Sequence, residues 1–166
     1  MGNKSVKENK NPYFKSREDA GLTREAAAEK MGCISADRIY NIETKTLPHP
    51  DEVLLMAECY KNPSLCNYYC SHDCEIGRVS VPQIQEKDLP TITLEMLSTL
   101  NTLSGNRDRL IDISADGEIS EDEMSDFLSI QATLNKMSLA IGSLKLWVDN
   151  AVATGRIDKA ILKKEE

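Results

Sequence analysis

From Tyr13 to Tyr69 the apolar positions fall into short helical segments separated by turn signals. A first segment around Tyr13–Ala20 stops at Gly21, and Thr23 caps a second, TREAAAEKM, whose alanine-rich interior has high helix propensity and which Gly32 closes. Ser35 is a good N-cap for ADRIYNIET, where Ile39 and Ile42 share one face while Asp37, Arg38 and Asn41 point elsewhere. A fourth helix, about Asp51–Tyr60, follows the breaks at Pro48 and Pro50, and a short fifth covers Ser64–Cys70. The pattern predicts five small helices over residues 12–75.

Residues 76–90 hold two prolines and no helical stripe, which predicts a linker. Beyond Pro90, Met96, Leu100, Leu103, Leu110 and Ser114 follow a heptad-like spacing interrupted by Arg107. After Gly117, Phe127, Ile130, Leu134, Met137, Ile141, Leu144, Val148 and Ala151 step by alternating threes and fours, which predicts a continuous coiled-coil-like seam. Two long helices joined by a short loop follow, the first over Thr91–Ser114, about 36 Å long. An antiparallel helical hairpin over 91–153 with one apolar seam buries too little to stand alone, and Leu139, Leu146 and Trp147 lie off the seam. A second copy of the chain is the simplest cover, giving a homodimer; packing onto the N-terminal region is the alternative. Residues 154–166 read as a short helix or tail.

Composition sharpens the fold class to all-α. Aromatics are scarce, with two Phe, one Trp and five Tyr, and Leu, Ile, Met and Ala supply most apolar side chains. No apolar run approaches the roughly 20 residues that span a bilayer, and the charged start MGNKSVKENK has no apolar segment behind it, so no membrane partner is expected. Its Met-Gly start lacks the Ser or Thr that myristoylation wants where Val6 stands. Five cysteines, an odd number, fit reduced thiols in a cytoplasm better than a disulfide framework.

The formal charge of −7 is unevenly spread: residues 1–50 carry nine basic and seven acidic side chains (+2), residues 51–90 three and seven (−4), and residues 91–166 eight and thirteen (−5). Nucleic-acid contact is therefore expected N-terminally, where Lys4, Lys7 and Lys10 on an arm of residues 1–11 could touch phosphate. The arm reads equally well as a plain polar tail.

The stretch AGLTREAAAEKMGCISADRIYNIETKTLPHPDEVLLMAECY carries Arg17 just before it, a small Ala28, Gly32 in a turn, Ile39, Glu43 and a fourth helix after a proline. In that order and spacing it resembles the phage-repressor (Xre/Cro-type) helix-turn-helix family, over about a third of the chain. The resemblance implies a five-helix DNA-binding domain over residues 12–75 whose third helix enters the major groove. By position it implies Ala36, Asp37, Arg38 and Asn41 as base readers. Thr23, Arg24, Ser35, Tyr40, Thr44 and Lys45 would touch the DNA backbone or the edge of the contact. Arg17 and Glu43 would form a buried ion pair. Arg38 suits guanine, Asn41 adenine and Ala36 a thymine methyl, whereas Asp37 could read only a cytosine amino group or orient Arg38. Two departures stand out: one extra residue between Gly32 and Ser35, and Ala27 where the family usually has Leu.

Two further patterns suggest metals. DISADGEISEDE fits a calcium loop with Asp112, Ser114, Asp116 and Glu123 as ligands; the same residues also serve as a helix stop at Gly117 and a capping box from Ser120 to Glu123. Cys66, Cys70 and Cys74 are spaced four apart and could join Cys59 or His72 around zinc or an iron–sulfur cluster; as apolar fillers and nearby thiols they need no metal. No cofactor is therefore expected, and no constellation suggests an enzyme. The expectation is a homodimeric regulator binding double-stranded DNA, most simply a repressor, with a protein-interaction or antitoxin-like module as the alternative.

Overall fold

The computed structural model describes residues 10–162; Lys4, Lys7 and the rest of the arm before Lys10 lie outside them, as do the last four residues. The chain is helical, with no strand among the described residues, and divides into two compact units, residues 1–83 with 149–166 and residues 84–148.

The first unit is built from α1 (Pro12–Asp19), α2 (Arg24–Met31), α3 (Ala36–Thr44), α4 (Pro50–Cys59), α5 (Ser64–Tyr68) and α6 (Glu75–Ser80). Each start has a local cause. Asn11 accepts the Phe14 N–H, Thr23 that of Ala26 and Ser35 that of Arg38, while Pro12 and Pro50 open α1 and α4 where a missing N–H costs nothing. Gly32 ends α2 at φ +76°, a left-handed turn that glycine adopts without strain. None of these helices is long enough to persist alone, so a shared core must hold them. It consists of Tyr13, Ala27, Ile34, Ile39, Ile42, Val53, Met56, Ala57, Cys59, Tyr60 and Leu65. The small residue fully enclosed on α2 is Ala27, while its neighbour Ala28 is only partly buried.

Two segments differ from the sequence pattern. The fifth helix stops at Tyr68 and the chain continues as one π-helical turn, Tyr69–Asp73, rather than as α-helix to Cys70. The expected linker begins with α6, which packs closely against that turn. A Cβ on Gly77 would lie 2.0 Å from the Cys70 carbonyl oxygen, so only glycine permits this approach.

The second unit contains α7 (Leu89–Gly105), α8 (Arg107–Ser114) and the start of α9 (Met124–Ala153), which runs on into the first unit; a short α10 (Lys159–Leu162) follows. The helix expected over Thr91–Ser114 is broken at Asn106, whose φ and ψ of −101° and 4° leave the helical region. Its N–H is shared between the Thr102 and Leu103 carbonyls at 3.2 and 3.1 Å, tightening the end of α7.

The buried line of α9 is also displaced from the predicted seam. Ile130 is buried, but the next inward positions are Thr133 and Ala140, while seam residues Leu134 and Ile141 are 45% and 52% exposed. The cause lies in residues 84–85. The Ile84 side chain abuts Gly142, and Ser143 Oγ donates to the Gln85 carbonyl at 3.5 Å. The chain thus approaches α9 on its small-residue flank, and Leu134 and Ile141 are turned outward while Leu144 stays half-buried.

Candidate nucleic-acid interface

Helix α3 buries Ile39 and Ile42 and turns Asp37, Tyr40, Thr44 and Lys45 outward, with Ala36 and Asn41 half-buried at the margins. Its inner edge is pinned by charge. Glu43, wholly enclosed, receives Arg17 Nε on one carboxylate oxygen at 2.6 Å and Arg24 Nε on the other at 2.7 Å. Arg17 also donates to the Leu22 carbonyl at 2.6 Å. One carboxylate between two guanidinium groups leaves a net charge of +1 at the junction of α1, α2 and α3. The Glu43 carboxylate raises the Arg17 pKa through its hydrogen bond. Tyr60 beside them is buried and its phenol, without a hydrogen-bond partner among the described residues, is pushed well above its ordinary pKa by desolvation.

Tyr40 joins this cluster to the surface. Its ring lies 5.0 Å from the Arg24 guanidinium carbon and 5.4 Å from Lys45 Nζ, so two cations flank the outer face of α3. The Asn41 amide and the Asp37 carboxylate have no polar partner among the described residues and are available to a ligand. Thr44 Oγ1 donates back to the Tyr40 carbonyl at 2.7 Å. Thr23 and Ser35 serve as caps; the Thr23 hydroxyl also donates to the Glu25 carboxylate, whose pKa is lowered by its own backbone N–H and by this bond, whereas the Ser35 hydroxyl proton has no acceptor among the described residues. At the start of α2 a concavity of about 490 Å³ opens, lined by Arg17, Glu18, Leu22, Thr23, Arg24 and Glu25, so that two guanidinium groups and two carboxylates face it.

Arg38 is placed differently from the sequence expectation. Its Nε and Nη2 bind the two oxygens of Glu52 at 2.7 Å each, Nη1 donates to Thr46 at 2.9 Å, and Nη2 also reaches the Leu47 carbonyl at 3.2 Å. Glu52 accepts the His49 N–H as well, at 2.7 Å. The guanidinium beside Glu52 holds that carboxyl below its usual range. The side chain thus clamps α3 to the start of α4 instead of standing on the outer face, and Asp37 does not orient it. Glu52 was missed as its partner because its spacing from Pro50 accounts for it fully as a helix-start residue.

The metal patterns are not assembled as ligand sets: among the described residues no three His, Cys, Asp or Glu side chains gather closely enough to hold an ion. Cys66 is half-buried, and desolvation pushes its thiol up, with Cys70 adding to the effect. Cys70 is half-buried too, and Cys74 Sγ accepts the Gly77 N–H at 3.4 Å. His72 stacks on Tyr68 at 4.4 Å, and Asp73 accepts the Tyr13 hydroxyl at 2.7 Å. Around Gly117, Ser114 donates to the Ile111 carbonyl, Asp116 accepts the Glu118 N–H, and Ser120 gives both its N–H and its hydroxyl to Glu123. Those residues build a turn and a helix start.

Among the described residues no helix is long and apolar enough to cross a membrane. Comparison with family models, curated proteins and solved structures returns no match.

Proposed function

We propose that the chain is a sequence-specific regulator that binds double-stranded DNA and represses transcription, with α2 and α3 as a helix-turn-helix and the outer face of α3 in the major groove. The observation that carries this reading is the outer face itself. Tyr40 and Thr44 stand clear on a helix that Glu43 ties to both Arg17 and Arg24, with Asn41 half-buried at its margin and Lys45 exposed just past its end. Rigid presentation matters because base edges are read over one or two hydrogen bonds each. At the start of α2 Arg24 meets a backbone phosphate, and at the start of α3 the Ser35 hydroxyl donates to another. Asn41 reads an adenine, Ala36 meets a thymine methyl, and Asp37 selects a cytosine amino group.

The exposed leucines and isoleucines of the second unit, Leu97, Leu100, Leu134 and Ile141 among them, favour association with a second copy, so that two reading helices face one operator. They equally suit a heterologous protein partner, the second reading. Fluorescence anisotropy of a random duplex titrated with the full chain tests the first. Binding that weakens linearly on a logarithmic salt axis supports DNA contact. No binding at about 50 mM salt, with monomers in sedimentation, favours the protein-interaction reading.

A further inference from the structure

Within the second unit, α7 and α9 flank a groove of about 460 Å³ lined by Lys87, Leu94, Glu95, Ser98, Thr99, Lys136 and Leu139. That volume falls in the range of small-molecule sites. Leu94 and Leu139 are 69% and 40% exposed, so the walls present bare aliphatic surface, and no aromatic ring lines them for stacking.

The charge in the groove has one sign left over. Lys87 Nζ holds both oxygens of Glu95, at 2.7 and 2.8 Å, and the two cancel. Thr99 is spent on the Glu95 carbonyl at 2.6 Å. Lys136 and the Ser98 hydroxyl have no polar partner among the described residues. Aliphatic walls with one unneutralised ammonium and one free hydroxyl call for a ligand with an aliphatic chain and a single anionic head.

We propose that this groove binds a medium-chain aliphatic monocarboxylate, its carboxylate on Lys136 and Ser98 and its chain along Leu94 and Leu139. The ammonium–carboxylate contact is charge-assisted, and the chain leaves water as it covers the two leucines. The site is independent of whether the first unit binds DNA.

Isothermal titration of the full chain at neutral pH with decanoate, and with decanol as its uncharged match, tests the site. One decanoate per chain is expected, with decanol about tenfold weaker. Lys136→Gln, an exposed position that folding does not require, is expected to weaken decanoate about tenfold while leaving decanol unchanged. Leu139→Asn is expected to weaken both ligands. Equal binding of the two ligands, an unchanged decanoate affinity in Lys136→Gln, several decanoates per chain, or no heat at about 1 mM ligand would each overturn the proposal.

Discussion

Arg38 and Glu52 meet in a two-pronged ion pair, both contacts at 2.7 Å, that joins the flank of α3 to the first turn of α4. Because the guanidinium is occupied there, its replacement should act on stability and not on base preference. Arg38→Ala is expected to cost about 1–2 kcal/mol and to lower the melting temperature of the first unit by several degrees. Any loss in DNA affinity should be uniform across sequences. Thermal unfolding checks the first statement, and a change of preferred bases in Arg38→Ala would contradict the second.

Glu43 is the most consequential charge in the first unit. Glu43→Ala strands Arg17, 8% exposed at its side chain, without a counter-charge, and leaves Arg24 without its anchor. Loss of one member of a buried pair costs about 3–5 kcal/mol, enough to unfold a unit of this size. Circular dichroism at 25 °C should show loss of helix; a melting temperature equal to the wild type's would refute the role.

Acid should release the Arg38–Glu52 clamp. The Glu52 carboxyl is held below its ordinary range chiefly by the hydrogen bond from Arg38, so its folded pKa lies under its unfolded one. The stability it supplies is fully present above the unfolded carboxylate value of about 4.3 and is lost as pH falls through the depressed folded value. Melting temperatures of wild type and Glu52→Gln should therefore differ at pH 7 and converge toward pH 3. A gap that stays constant across that range would contradict the assignment.

Gly77 fixes α6 on the π-helical turn. A methyl group there collides with the backbone of Cys70, at 2.0 Å from its oxygen and 2.8 Å from its carbonyl carbon, and neither can swing aside as a side chain would. Gly77→Ala is expected to cost about 1–3 kcal/mol and to speed proteolysis near 75–80. Wild-type protection of that segment in the variant would show that α6 accommodates the methyl.

The helical class was readable from residue types and spacing, and Arg17 and Glu43, marked by the repressor-like pattern, do touch. What escaped the sequence was set by neighbours distant along it. Arg38 has the chemistry of a guanine reader, and only the fold brings Glu52, fourteen residues on, against it. Helix α6 has six residues with a glycine at its centre, a poor helix by propensity that packing sustains. On α9 the heptads name Leu134 and Ile141 as inward, yet the approach of Ile84 and Gln85 to Gly142 and Ser143 decides the buried side. The break at Asn106 falls beside Arg107, which interrupts a heptad-like pattern that otherwise runs on to Leu110 and Ser114.

Selection of binding sites from a random duplex library, run on wild type and on Asn41→Ala, tests the central claim most directly. The account predicts an enriched motif for the wild type, relaxed at one adenine in Asn41→Ala and retained in Arg38→Ala protein that is still folded. Folded wild-type protein that enriches no motif at low salt, or a motif indifferent to Asn41, would contradict it.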